Sequence, residues 1–372
     1  MRRDSKFQNK VIQHNKPTIS AEEIKAAADT LGNLELTVGI KVEEFEKDFA
    51  KYIGKNAAAT SSGTSALHLA LIALGISKDD EIIMPSYTCL AVALPVLYQQ
   101  AKPILADVSD EYNISVEDFK RKITEKTKAV IVPHMFGYPV DLKEIKELCE
   151  EKNVYLVEDC AQSIGARYNA KKVGTVGDIS IFSFYATKMM TTIQGGMVCT
   201  HNSEWIRIIK DLRYHDQCRS LEDTDPRIKY SYMMSDVGAA IGIVQLKKLD
   251  EFIKRRRAIA SFYRKKLNGN VMHPLENDEK KHVYSRYVIK TSYNPSEIIE
   301  KMREQNVICA RMYVPPLHRR VLIRKFNGDA RFPKTEEILD STISLPMYPS
   351  LAGEDVEYVA DIFNKVVRRL DR

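Results

Sequence analysis

Apolar and polar residues follow two rhythms along this chain, and the change from one to the other outlines its architecture. Val42, Phe45, Phe49 and Tyr52 recur three or four positions apart, which puts them on one face of a helix. Ahead of them, Ser20–Ala21–Glu22–Glu23 has the spacing of a capping box and opens another helix that stops near Gly32. From about Gly63, helical and strand patterns take turns. Short apolar runs predict strands over residues 81–85, 103–108, 129–134, 154–159, 179–184 and 197–200, and periodic polar faces predict helices over 115–122 and 141–152. This alternation is the pattern of a mostly parallel sheet wrapped by helices.

After Asp236 a long helical stretch runs through Gln245, Leu249 and Arg256 and leads into a smaller part of α+β character. Strands are expected there at 284–290 and 307–313, and helices at 296–304 and 354–367. The expected division is residues 1–249, an N-terminal segment with a large domain, and residues 250–372, a small C-terminal domain. No internal repeat or low-complexity linker interrupts the chain. With 372 residues, 44% of them apolar, it can bury one large core and a second smaller one, which excludes a disordered scaffold.

Three segments carry chemistry when taken in order. Thr60–Ser61–Ser62–Gly63–Thr64–Ser65 is a small polar turn feeding an amphipathic helix, where free N–H groups and the helix dipole favour an anion. Such a turn also serves as an ordinary Ser/Thr N-cap. Val154–Tyr155–Leu156–Val157–Glu158–Asp159 reads as a buried parallel strand that delivers Asp159 to its C-terminal end, where ligands of open α/β sheets bind. An aspartate there could equally cap the next segment. Phe182–Ser183–Phe184–Tyr185–Ala186–Thr187–Lys188, followed by Gly195–Gly196, then sets a lysine after another strand. A lone lysine among 56 Lys and Arg says little. An anion cradle, a carboxylate and a lysine in this order are what a pyridoxal-phosphate (PLP) enzyme needs: the lysine for a Schiff base, the carboxylate to keep the pyridine nitrogen protonated.

At these residues the chain resembles the DegT/StrS-type sugar aminotransferases. The similarity is close to full length, from Gly39–Ile40–Lys41–Val42–Glu43–Glu44–Phe45–Glu46 to Pro316–Leu317–His318 and Ser344–Leu345–Pro346–Met347–Tyr348–Pro349. It implies an aspartate-aminotransferase-like PLP fold: a large domain with a mostly parallel, seven-stranded type of sheet, and a smaller α+β C-terminal domain. It implies that Lys188 holds the cofactor, that Asp159 pairs with the pyridine nitrogen and that Gln162 binds the ring oxygen. Gly63, Thr64, Ser65 and Ser183 would hold the phosphate. A homodimer with shared active sites is also implied, the partner adding a phosphate ligand from a segment that here reads Tyr230–Ser231–Tyr232. The implied substrates are an amino acid donor, glutamate above all, and a nucleotide-linked keto-sugar, in the making of amino sugars for polysaccharides. Thr37, Tyr313 and His318 are expected near the sugar nucleotide.

Three departures from the family pattern stand out. Ser231 replaces an Asn. Cys89 stands where a large aromatic often covers the cofactor ring, unless Tyr87 substitutes for it. Ile193–Gln194 stand where Gly-Glu is common, which reduces backbone freedom and removes a carboxylate.

Composition changes little of this. The net charge of +6 is dispersed, with Arg255–Arg256–Arg257 and Arg319–Arg320 the densest clusters, and nothing resembles the basic stripe or aromatic platform of a nucleic-acid binder. Cys89, Cys149, Cys160, Cys199, Cys218 and Cys309 are scattered, as are His134, His215, His273 and His318, so no metal is expected and reduced thiols in a cytoplasmic protein are. Met1–Arg2–Arg3–Asp4–Ser5–Lys6 lacks a signal peptide's apolar run, and no segment has the length to cross a bilayer. The rival readings are a PLP-binding regulatory protein without turnover, a lyase on the same fold, and the family's dehydratase branch. That branch has His in place of the lysine, so Lys188 argues against it.

Overall fold

In the computed structural model, which describes residues 10–34, 36–37, 39–215 and 227–371, seven strands form the central sheet. They are β1 (Asn56–Thr60), β2 (Glu81–Pro85), β3 (Lys102–Ala106), β4 (Thr127–Pro133), β5 (Tyr155–Asp159), β6 (Ile179–Ser183) and β7 (Gly196–Thr200), in the spatial order β1-β7-β6-β5-β4-β2-β3. Only β7 runs against its neighbours; the other pairings are parallel. Cys218, one of the scattered cysteines, lies outside the described residues.

Helices cover both faces, which is why the middle strands are apolar throughout rather than alternating. In chain order the first seven are α1 (Ala21–Gly32), α2 (Ile40–Ile53), α3 (Gly63–Ala73), α4 (Leu90–Tyr98), α5 (Val116–Lys122), α6 (Lys143–Lys152) and α7 (Ser203–Leu212). On one face Leu67 and Leu71 of α3, Val96 of α4 and Ile209 of α7 pack with Val157, Ile181 and Val198. On the other, Phe119 of α5 and Ile145 of α6 pack with Val130 and Leu156.

Several elements differ from their sequence-based expectations. Helix α3 is not amphipathic: Ser65 to Leu71 are all buried, because the helix lies between the sheet and α4 and α7. Strand β1 and helices α4 and α7 had not been anticipated. Leu90–Tyr98 is almost wholly apolar and contains Pro95, so it carries no helical period to read. Residues 307–313 form no strand; Val307 bridges to Ile12 on one side and Ala310 to Ser344 on the other, so neither ladder extends.

Helix α8 (Asp236–Lys266) joins the two cores. Its first half packs Ala239, Ile243, Leu249 and Ile253 with Phe45, Phe49 and Phe184, and its second half packs Ile259 and Tyr263 into the C-terminal core. That core is built on the antiparallel strands β8 (Val271–Met272), β9 (Tyr287–Thr291) and β10 (Thr342–Leu345) and on the last helix, Gly353–Leu370. The N-terminal segment belongs to it as well. Ile12 is buried there, donating its N–H to Asn306 O at 2.8 Å and accepting from Ile308 N–H at 2.9 Å. Among the described residues no helix is long and apolar enough to cross a membrane.

The first turn of α8 also fixes α2. Gly39, the N-cap of α2, has no side chain to satisfy the helix's first N–H groups. Asp236 does so from a distance: its carboxylate accepts from Gly39 and Val42, both at 3.0 Å, and from Lys41 at 3.3 Å. A Cβ at Gly39 would stand 2.5 Å from Asp236 Oδ2, so only glycine lets the carboxylate in. Asp236→Ala strands three donors, one of them buried, and should lower unfolding stability by about 2–4 kcal/mol, read from the urea midpoint.

Candidate active site

Strand register gathers the site at one edge of the sheet. Asp159, the last residue of β5, lies opposite Ile181 of β6, so Ser183 stands two residues beyond it at the same edge. Ser183 in turn pairs with Gly196 of β7, as does Thr60 of β1. Alternation along β5 turns Asp159 to the same face as Val157, which packs with α3. The start of α3 and the loop after β6 close the space above, leaving a cavity of about 350 Å³.

Two glycines bring the backbone segments together. A Cβ on Gly63 would stand 2.8 Å from Ser183 Cβ, and one on Gly196 would stand 2.3 Å from Ser62 O. At the start of α3, Ser62 Oγ caps Ser65 N–H at 3.0 Å and Ser65 Oγ takes Ser62 N–H at 2.9 Å. Gly63 and Thr64 keep N–H groups that no helical carbonyl can reach, and with Ser183 they line the cavity. Ser65, named among the anion-binding candidates, spends both its N–H and its hydroxyl on this capping box and lies off the cavity wall.

Lys188 sits in a loop closed on itself by Phe184 N–H to Gly195 O at 2.9 Å and Thr192 N–H to Phe184 O at 3.0 Å. Its side chain and that of Asp159 face the same cavity without forming an ion pair. Burial dominates both groups. It lowers the Lys188 ammonium from its ordinary value against the pull of Asp159, with Arg286 lowering it further. It raises the Asp159 carboxyl, opposed by the Ala161 N–H, which donates to Oδ1 at 2.9 Å, and by Lys188.

Glu158, next to Asp159, points the other way. It is fully buried and accepts from Gly174 N–H at 2.7 Å, Val176 N–H at 2.8 Å, Gly177 N–H at 2.6 Å and His134 Nε2 at 3.1 Å. Burial would raise its pKa, but these bonds hold it below the usual carboxylate value. His134 Nδ1 accepts from Val140 N–H at 3.0 Å, so the ring proton sits on Nε2 and goes to Glu158. His134, Glu158 and Cys160 bring possible metal ligands within 4.8 Å of one another. With that proton between them and three N–H groups on the carboxylate, they form a hydrogen-bonded knot and not a ligand set.

The remaining candidates divide. Gln162 and Tyr313 line the cavity, and the Gln162 amide donates to Met135 Sδ at 3.8 Å. Cys89 lines it too, whereas the Tyr87 ring is buried behind Tyr313, 5.5 Å away, and cannot cover a ring in the cavity. Thr37 is exposed in the turn before α2. His318 is paired with Glu336 at 2.6 Å and stacked on Phe332, off the cavity wall. Ser231 is exposed, bridged to Tyr214 and away from its own chain's cavity. Sequence reasoning had passed over Arg286, which lines the cavity from the C-terminal core, and Asn15, whose amide donates to Thr187 O at 3.0 Å.

The model of the DegT/DnrJ/EryC1/StrS aminotransferase family matches residues 17–364. The chain belongs to that family. It is a PLP-dependent aminotransferase. An uncharacterized protein from Methanocaldococcus jannaschii is 38% identical over 95% of this chain and 96% of its own length. The GDP-perosamine synthase of Escherichia coli O157:H7 is 35% identical over 96% of this chain and 98% of its own. Among solved structures, the aminotransferase TlmJ from Streptoalloteichus hindustanus superposes with a TM-score of 0.90 at 29% identity, covering 97% of this chain and all of the other.

In this aminotransferase the turn after the lysine carries an identifiable strain. Ile193 adopts φ 70° and is 59% exposed, so a β-branched residue occupies the left-handed region with little packing to offset it. Gln194, beside it, lines the cavity with an amide where the family commonly has a carboxylate. Ile193→Gly relieves about 1–2 kcal/mol of steric cost and gives back part of it as chain entropy. The variant should gain about 0.5–1 kcal/mol in denaturant unfolding, with turnover preserved.

Proposed function

We propose that this aminotransferase moves the amino group of an amino acid, glutamate being the expected donor, to the keto group of a nucleotide-linked sugar. Lys188 carries the reading: a half-buried lysine whose amine, of lowered pKa, is free of hydrogen bonds and ion pairs among the described residues, on one cavity with Asp159 and the start of α3. The GDP-perosamine synthase relative, whose name is that of an enzyme making a GDP-linked amino sugar, supports a nucleotide-sugar substrate.

The residues present fit PLP. Close packing of Gly63 against Ser183 and of Gly196 against Ser62 leaves backbone donors where a bulkier residue would fill the space, which suits a phosphate. PLP supplies an electron sink that eases proton loss from the substrate's amine-bearing carbon. In this reading Gly63 and Thr64 N–H, with the Thr64 and Ser183 hydroxyls, bind the phosphate, and Ser65 holds the turn that aims them. Asp159 keeps the pyridine nitrogen protonated, Gln162 binds the ring oxygen and Tyr313 lies toward the sugar nucleotide. Lys188 holds the cofactor and, once released, is a base of lowered pKa able to take and return a proton inside the cavity. The dimer we infer places Ser231 of the partner subunit near the phosphate, and Thr37 and His318 toward the sugar nucleotide.

Glutamate alone should change the visible absorbance of the PLP-loaded enzyme and release 2-oxoglutarate; a panel of nucleotide-linked keto-sugars should then restore the spectrum and yield an aminated product by mass. Failure with every amino donor tried would overturn amino transfer and leave a PLP-binding regulatory protein. Borohydride should fix the cofactor to the Lys188 peptide. Lys188→Ala should retain PLP and lose at least about 10³-fold in turnover, and Asp159→Asn should stay coloured and slow by about 10²-fold or more.

Sedimentation should show a homodimer, and an active monomer would reject shared sites. Ser231→Asn adds reach toward a charged phosphate, a bond worth about 1.5–3 kcal/mol, and should slow cofactor loss on dialysis about tenfold. Unchanged retention would leave Ser231 as an interface or loop residue.

A further inference from the structure

Arg286 ends the loop before β9 and reaches the cavity from the C-terminal core. Its Nη1 donates only to backbone carbonyls, Ser285 O at 2.8 Å and Thr187 O at 3.3 Å. Its Nε is buried with no hydrogen-bond partner. No carboxylate pairs with it among the described residues. A half-buried guanidinium with its Nε shut away from water and no anion beside it is costly, because neutral carbonyls compensate its charge poorly. Here the situation is worse, since a second cation, Lys188, shares the cavity and the two repel. The cavity is therefore short of an anion at this point.

Three anions are candidates for it. The cofactor phosphate is accounted for at the start of α3, where Gly63 abuts Ser183, whereas Arg286 touches Thr187 and Ser285. The diphosphate of a nucleotide-linked sugar stands several bonds from any ring carbon that could carry the keto group. An α-amino acid is different, for its carboxylate is attached to the same carbon as its amine. When that carbon is within proton-transfer reach of Lys188, the α-carboxylate lies beside it. Arg286 donates to the carbonyl of Thr187, the residue before Lys188, so its guanidinium is at the right place. A planar fork suits a carboxylate better than an ammonium would.

We infer that Arg286 binds the α-carboxylate of the amino acid donor and so distinguishes donor from acceptor in a single cavity. The inference rests on the amino-transfer reading. Donor binding supplies the missing anion, and a keto-sugar, which carries no carboxylate on the reacting carbon, leaves Arg286 unpaired. Arg286 is thus a specificity-determining residue for the first half of the reaction.

Arg286→Gln tests this with two readouts. In stopped-flow mixing with the PLP-loaded enzyme, the glutamate and alanine concentrations needed for half-saturation should rise about 10- to 100-fold. The slow reaction of 4-aminobutyrate, which has an amine and a distal carboxylate but no α-carboxylate, should change less than threefold. Binding of 2-methylglutamate, which has no α-proton to lose, should weaken by the same 10- to 100-fold in calorimetry, with PLP retention unaltered. Equal weakening for 4-aminobutyrate, unchanged donor saturation, or a shift confined to the nucleotide-sugar half-reaction would overturn the assignment. So would loss of PLP in step with loss of donor binding, since that marks Arg286 as a brace for the Lys188 loop. Should Arg286→Gln fold poorly, Arg286→Lys keeps the charge without the fork, and donor saturation equal to the parent's would overturn the assignment. A parent enzyme that binds 2-methylglutamate through Arg286 but never turns over glutamate would refute amino transfer alone; one that binds no amino acid refutes both.

Discussion

The side on which Glu158 lies decides the rest of the site. Adjacent residues of a strand face opposite ways, so a slip of one residue in β5 would send Glu158 into the cavity and Asp159 into the sheet's other face. What prevents the slip is a charge that is satisfied on one side only. Glu158 takes three N–H groups from Gly174, Val176 and Gly177 and a fourth bond from His134, whose other nitrogen is held by Val140. Moved into the cavity it would leave those donors buried and unpaired, a penalty of about 1–3 kcal/mol for each. The knot on one face thus sets the carboxylate on the other, and through the pairing of β5 with β6 it sets Asp159 opposite Ile181, two residues before Ser183 and the loop that carries Lys188.

Burial supplies the chemistry that this geometry frames. Asp159 and Lys188 carry opposite formal charges, yet they do not form an ion pair, and loss of water outweighs their attraction in each case. A direct pair would neutralise both groups and fill the space between them. Kept apart, the lysine keeps a pKa below its ordinary value and the carboxyl is available to a positive partner. Among the described residues that line the cavity, none at the start of α3 is a cation. Backbone N–H groups at the start of a well-capped, buried helix receive an anion without adding a charge that would push Lys188 further.

Much of this could be read from the sequence where the signal was local. Strand β2 runs over the expected residues, β5 and β6 end within a residue of where their apolar runs suggested, and the order of anion turn, carboxylate and lysine survives in space. Wherever the signal is tertiary, the sequence was silent or misleading. Ala57, Ala58 and Ala59 carry β1 only because β7 lies beside them. Ser65 has the composition of an anion ligand, but its position as the third residue of α3 gives it to the cap. Tyr87 is two residues from Cys89 and still cannot replace an aromatic there, because a buried ring cluster already holds it. Arg286 had no pattern around it: one arginine before a strand looks like any other until the fold leaves it without an ion pair among the described residues.

The peptide just before Lys188 joins distant parts of the chain. The Thr187 carbonyl accepts from Asn15 of the N-terminal segment and from Arg286 of the C-terminal core. The N-terminal segment is in turn held on that core by Ile12, between Asn306 and Ile308, and by His14, whose carbonyl accepts from Met347 N–H and whose ring meets Ser344 at 2.8 Å. Burial lowers the pKa of His14 to about 3, with Arg286 adding to the effect, so this contact carries no charge of its own at neutral pH and does not supply the anion that Arg286 lacks. Lys188 is therefore fixed relative to the C-terminal core by two routes that bypass α8. The acid-base role proposed for Lys188 needs this constraint, because a base on a loose loop would lose the orientation that makes proton transfer fast.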